Sequence, residues 1–282
     1  NQHPVGPPGH RRTPMLPYLK NPLLSLLRFL LQCLQVRFLF LLHRLIFAGL
    51  LIFVLFHMSY VASYEVAMCK FLFATGIGAV PAYRKWRCSG NFVPRTEPCE
   101  NKWPGVSCDE NNYITGIHLN GAGMRGYIPS DVGMMTELKY IDVSHNSLWG
   151  SIPEAIGMLN QLEYFDVSYN DFNTGLPDQL GNLPSLKYFM AVDSKLNGTV
   201  PAALGNLAML KGLALTNNML AGRIPNDLGD LSELIFLDMS GNRMSGTLPV
   251  ALGALTGCVV FDVSDNKLTG TFPASFFAMT KL

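Results

Sequence analysis

Residues Leu210–Gly229 read LKGLALTNNMLAGRIPNDLG, and the way this stretch recurs decides the fold. Steps of 24 residues from its proline, Pro225, land on another proline each time: Pro129, Pro153, Pro177, Pro201, Pro249 and Pro273. Three residues before each proline stands Gly126, Gly150, Thr174, Gly198, Gly222, Gly246 or Gly270. Seven before it stands Ala122, Asn146, Asn170, Ser194, Asn218, Asn242 or Asn266. Apolar residues hold register with these columns, as Leu138, Ile141, Val143 and Leu148 do around Asn146. The next copy repeats the pattern with Leu162, Phe165, Val167 and Phe172 around Asn170. A fixed period of this length marks a chain wound from like units that bury their apolar faces only against one another.

Each column has a physical reason. The Ile141/Val143 spacing is that of a short strand with both side chains turned into a core. An amide side chain carries both donors and an acceptor, so Asn at a buried turn can satisfy backbone groups of its own coil and of the next. Glycine suits a position of positive φ or close approach, and proline prevents a regular helix from running through the segment after the turn. A second apolar set, such as Ile156, Leu159 and Leu162, fills the far side of the coil. The expectation is a solenoid with a parallel sheet along one side.

These residues resemble the plant-type leucine-rich repeat, LxxLxxLxLxxNxLxGxIPxxLG, over about residues 99–282. The resemblance implies an α/β solenoid: a right-handed horseshoe with a parallel β-sheet on its concave face, about seven 24-residue repeats and an N-terminal disulfide cap. Pro98-Cys99 through Trp103-Pro104-Gly105-Val106-Ser107-Cys108-Asp109 is similar to the family's capping module, which implies a Cys99–Cys108 disulfide. Lys70–Trp86 would carry the cap's short helix. Cys88 is left to pair with Cys69 or with a partner elsewhere, and Cys258 takes a leading apolar column as a buried thiol. A disulfide cap implies an oxidising compartment, and so a secreted or membrane-anchored cell-surface protein. The family includes receptor-like kinase ectodomains, secreted inhibitors of cell-wall pectinases and protist surface antigens. It implies a recognition module that binds a protein, peptide or glycan through the concave face, without catalytic residues, metal or cofactor. The alternatives are the ectodomain of a receptor-like kinase whose catalytic domain follows, and a structural or adhesive surface antigen.

Charge divides the chain. Residues 1–98 carry 11 Lys/Arg and 2 Asp/Glu, whereas residues 99–282 carry 10 and 18. An acidic body excludes nucleic acid as a partner, because phosphates demand a basic face. Residues 1–44 read as a disordered or artefactual basic and apolar leader, and 45–65 as a signal peptide or signal anchor that would meet a membrane. A later start at Met68, with Ala82 closing a short signal, is the alternative. Residues 66–112 then form the cap and 113–282 the solenoid. The copy after Pro273 is entered but not finished at Leu282, so the natural protein is expected to continue.

The outward face follows from register. Positions six, four and two before the Asn column give the ligand-binding candidates Tyr140, Asp142, Tyr164, Asp166, Tyr188, Met190, Val192, Thr216, Phe236, Asp238 and Asp262. The centre, at Tyr188, Met190, Val192, Ala214 and Thr216, is less charged and is flanked on each side by an Asp pair. Exposed aromatic and apolar side chains among polar ones suit a protein-binding hot spot. Neighbouring strands would bring Asp142 and Asp166 within ~5 Å, close to the spacing of a retaining glycosidase's carboxyls. No apolar wall is evident to keep one protonated, which argues against catalysis. Gly121–Gly126 spells GxGxxG, but Pro129 and the next repeat deny it the helix that a pyrophosphate needs. His118 and His145 read as surface residues. Asn197-Gly198-Thr199 is the N-glycosylation sequon, with Asn197 the acceptor.

Overall fold

A computed structural model describes residues 64–79, 81–83, 86–89, 91 and 94–282. The leader read at 1–44, and residues 45–63 of the expected signal segment, lie outside the described residues. The main sheet has eight strands: β1 (Val106–Cys108), β2 (Ile114–His118), β3 (Tyr140–Asp142), β5 (Tyr164–Asp166), β7 (Tyr188–Met190), β8 (Gly212–Ala214), β10 (Phe236–Asp238) and β12 (Val260–Asp262). From β2 onward the pairing is parallel and in register with the 24-residue period, as in Ile141↔Phe165, Phe165↔Phe189 and Phe189↔Leu213. β1 runs antiparallel to β2 and closes that edge. Shorter strands continue the coils past the Asn turn: β4 (Trp149–Gly150) pairs with β6 (Asp171–Phe172), and β11 (Arg243–Gly246) lies between β9 (Ala221–Gly222) and β13 (Lys267–Leu268).

Behind the sheet, each repeat proline opens a five-residue 3-10 turn, from Ser130–Met134 to Ala274–Ala278. The proline itself is extended, with φ −65° at Pro201, and its fixed φ sets the chain's entry into the turn. The helical side of the coils is therefore 3-10 rather than α. Between sheet and turns lie the expected apolar columns. Leu138, Leu162, Leu186, Leu210 and Leu234 are fully buried, as are Ile156, Leu180, Leu204, Leu228 and Leu252. Cys258 is buried in the same column as the leucines.

The Asn column bonds each coil to the one before it. Asn170 Nδ2 donates to the carbonyls of Val167 and Ser168 in its own coil and of Val143 in the preceding one, while its Oδ1 accepts from Leu148 N. Asn218 and Asn242 repeat this pattern. Ser194 keeps the donations to Val167 O and Val192 O but forms no bond to Phe172 N, because a hydroxyl is too short to reach it. The glycine column answers two demands. Gly150, Gly222 and Gly246 take positive φ, whereas at Gly126 an added Cβ would fall 1.6 Å from Ala74 O.

Ala74 belongs to the cap. A helix over residues 64–75 buries Tyr64, Ala67, Met68, Phe71 and Leu72 against the first coil, and Tyr64 Oη donates to Ile114 O. It begins ahead of Lys70–Trp86, where the cap's short helix is expected, and takes in Tyr64 and Glu65 from the end of the 45–65 segment. Ala74 and Thr75 accept from the backbone of Tyr127 and Arg125, so the helix end replaces a preceding coil. Two disulfides staple the module: Cys99–Cys108 as the family pattern implied, and Cys69–Cys88. Trp86 and Trp103 stack at 5.2 Å between them.

Candidate ligand-recognition face

The strands of the main sheet are three residues long in every coil after the first, so each presents two outward side chains before the turn begins. The first forms an aromatic row. His118 stacks on Tyr140 at 4.4 Å, Tyr140 on Tyr164 at 4.5 Å with 4° between planes, and Tyr164 meets Tyr188 tilted at 6.2 Å. Parallel strands in register impose the tyrosine row, because identical positions recur one strand apart; His118, in register with Asp142, leans over Gly116 to reach Tyr140. The row changes at Tyr188, which is exposed. β8 offers Gly212 there, and a Cβ on Gly212 would come within 2.9 Å of the Tyr188 ring. Tyr188 therefore lies down over Gly212, with the Met190 methyl group beside it.

The second outward row is Asp142, Asp166, Met190, Ala214, Asp238 and Asp262, each half-buried except Ala214, which is covered. The acids are held from beneath. Asp142 Oδ1 accepts from Ser144 N at 3.0 Å and Ser144 Oγ at 2.5 Å, and Asp238 Oδ1 from Ser240 N and Oγ at 2.9 and 2.6 Å. Asp166 and Asp262 accept from the backbone of Ser168 and Ser264. Hydrogen bonds from Ser264 hold the Asp262 carboxyl below the usual carboxylate range. Above the acids, Tyr164 Oη donates to Asp166 Oδ2 at 3.3 Å. Burial pushes the Tyr164 hydroxyl well above its ordinary pKa, and the nearby Asp166 and Asp142 charges add to the rise. Burial and Asp142 raise Tyr140 in the same way.

The position two before Asn is covered unevenly. Ser144, Ser168 and Ser240 are buried, Val192 and Thr216 half-buried, and Asn120 and Ser264 exposed. The strand ends at the second outward residue, and where that residue is Asp the Ser two further on is hydrogen-bonded to its carboxylate. Val192 and Thr216 lie two residues past the end of β7 and β8 and are half-buried, as Asp142 and Asp166 are. Of the other candidates, the structure brings Tyr140, Asp142, Tyr164, Asp166, Tyr188 and Met190 together on β3, β5 and β7. It places Phe236, Asp238 and Asp262 beyond the Gly212/Ala214 step. Ala214, counted in the central patch, is its floor.

One feature of this face went unread in sequence. His145 and Tyr169, each one residue before the Asn column, are exposed and stack at 4.2 Å. Both have positive φ, 54° and 55°, at a position where other coils carry Gly121, Asp193, Asn217, Gly241 and Asp265. A left-handed backbone costs a bulky residue on the order of 1 kcal/mol or more. The signal was available: two aromatics stand in a column otherwise filled by the residues that tolerate this conformation. Among the described residues no group of three or more His, Cys, Asp or Glu is arranged to hold a metal ion. The Asn197 side chain is half-buried and donates to Asn173 O at 2.7 Å, beside the exposed Gly198 and Thr199.

Fold and face together define a leucine-rich-repeat solenoid, and comparison with known proteins agrees. The family described as Leucine Rich Repeat matches residues 137–159, 161–183 and 233–255. A probable leucine-rich repeat receptor-like protein kinase of Arabidopsis thaliana is 27% identical over 62 residues, 22% of this chain and 7% of that protein. The leucine-rich-repeat ectodomain of the Arabidopsis thaliana membrane receptor kinase GASSHO1/SCHENGEN3, solved with Casparian strip integrity factor 2, is 28% identical with a TM-score of 0.62, covering 78% of this chain and 29% of that one. The ectodomain of the Arabidopsis receptor kinase HAESA, solved with an extended IDA peptide hormone, is 27% identical with a TM-score of 0.60, covering 76% and 40%. The chain thus spans well under half the length of each. Its repeats and fold are those of a leucine-rich-repeat solenoid, similar to these plant receptor ectodomains.

Proposed function

We propose that this chain is the ligand-recognition module of an extracellular or cell-surface receptor, and that it takes a peptide or protein ligand on the sheet face. The observation that carries the reading is the face itself. An ordered tyrosine row ends in an exposed Tyr188–Met190 shelf, and among the described residues no other element packs over it. Exposed aromatics fixed by their neighbours lose little entropy on binding, which is why such groups dominate hot spots. The similarity to receptor-kinase ectodomains, one solved with a peptide hormone, supports a peptide ligand and a kinase elsewhere in the full-length protein. Two disulfides suit an oxidising compartment, where Asn197 would accept a glycan.

Binding rather than catalysis fits the acids. Each is fixed by hydrogen bonds from the serine two residues on, as suits a group held in place to meet a ligand. The test is affinity for a displayed peptide library. Replacing Tyr188 and Met190 with glutamate should abolish retention of the selected peptides while the melting temperature holds. Unchanged retention would remove the sheet face from the function.

A further inference from the structure

We infer, on the recognition role proposed above, that the sheet face takes an extended peptide running across the strands, with two basic side chains about four residues apart and an apolar one between them. Direction comes first. After β2 each strand is only three residues long, whereas the sheet is eight strands wide. A ligand making more than one or two contacts must therefore run across the strands.

The chemistry along that direction alternates. Register pairing sets Asp142, Asp166, Met190, Ala214, Asp238 and Asp262 in one row. The row therefore reads acid, acid, apolar, small, acid, acid. None of the four carboxylates is in a salt bridge with a cation among the described residues. The Lys residues at the head of the strands stand three positions before the row, at Lys139, Lys187 and Lys211, and Lys187 is already paired with Glu163 at 2.6 Å. Burial first, and the charges of Asp142 and Asp166 after it, raise the Tyr140 and Tyr164 hydroxyls. A ligand that places cations on both acid pairs answers this charge; an acidic or neutral one leaves it unmet.

The spacing follows from the sheet. Asp166 on β5 and Asp238 on β10 are three strand steps apart, about 14 Å at ~4.8 Å per step. An extended chain covers ~3.3–3.4 Å per residue, so about four residues separate the two cations. Between them, the Tyr188 ring laid over Gly212, the Met190 methyl and the small Ala214 leave room for one aliphatic side chain.

The purified chain is titrated by fluorescence anisotropy with the labelled peptide Gly-Arg-Gly-Leu-Gly-Arg-Gly. Two companions serve as controls, one with glutamate for both arginines and one with the arginines eight residues apart. The four-spaced dibasic peptide should bind about tenfold tighter than either and weaken several-fold with added salt. Asp166→Asn and Asp238→Asn keep the oxygen that accepts from Ser168 and Ser240, so the coils stay intact. Each should cost about tenfold for the four-spaced peptide alone. Equal binding of the glutamate peptide, or indifference to both substitutions, overturns the inference. A mixed-sequence peptide pool separates the two readings. Tyr188-dependent retention of non-basic peptides sinks the charge rule and leaves the recognition role standing. Retention of no peptide at all sinks both.

Discussion

The cap and the coils solve the same problem, an open apolar end, by different means. In the coils, one set of columns is repeated, and each Asn ties its own turn to the preceding one. Stability there is a sum of like neighbour contacts, so a coil that departs from the pattern, such as that of Ser194, is carried by those beside it. The cap has no repeat to lean on. It relies on contacts that occur once: the residue 64–75 helix end on Gly126, the Trp86–Trp103 stack, Tyr64 on Ile114 and two disulfides. Redundancy protects the coils, and covalent bonds protect the cap.

The strongest challenge to this contrast is removal of the Cys69–Cys88 bond. Replacing both with serine should destabilise the cap by about 3–4 kcal/mol, as expected for a closed loop of this size. Hydrogen exchange should then rise in residues 64–118 well before it rises in the later coils; uniform acceleration along the chain would break the contrast. Within the coils, Asn170→Ala leaves three carbonyls and one N–H without their partner and should cost about 2–3 kcal/mol in denaturant unfolding. Ser194→Ala should cost visibly less, because that position makes fewer bonds. Equal costs would mean that the column is not the link between coils.

Smaller effects sharpen the picture. Gly212→Ala forces the Tyr188 ring off β8 without straining the backbone. It should lower affinity for any sheet-face peptide by about tenfold, close to 1.4 kcal/mol, at an almost unchanged melting temperature. The smallest effect is in the cap. Burial, together with a hydrogen bond to Glu97 and its charge, pushes the Glu65 carboxyl up from 4.5 to about 7. The folded cap therefore binds that proton more tightly than the unfolded chain does. The contribution is complete below the unfolded value and is lost as pH rises through about 7. Glu65 is half-exposed, and solvent screening holds the difference to about 1 kcal/mol. Melting at acid and at mildly alkaline pH checks it, and Glu65→Gln should flatten the profile.

Much of the fold was legible because a repeat states its own register many times. Seven prolines at one spacing place the turns, the Asn column places the links, and the leucines place the core. The face was legible in part. Tyr140, Tyr164 and Tyr188 fall in one row by period alone. Less legible was how far each outward side chain is covered: the Ser two residues past Asp142 or Asp238 bonds back onto that carboxylate, and such a hydrogen bond leaves no trace in hydrophobic spacing. The cap was the least legible. Its helix runs over 64–75 rather than within Lys70–Trp86, because contacts of Tyr64 with Ile114 and of Ala74 with Gly126 hold its two ends, and such contacts leave no mark in hydrophobic spacing.

Periodicity by itself settled that this chain winds into stacked coils with a parallel sheet, because local pattern and neighbour packing demand the same thing at every step. Tertiary structure alone decided the partner of Cys88, the fall of Tyr188 onto Gly212, and the left-handed His145–Tyr169 stack. Each of these depends on which atoms meet between coils or between cap and coil, and such meetings are set by three-dimensional approach rather than by distance along the chain.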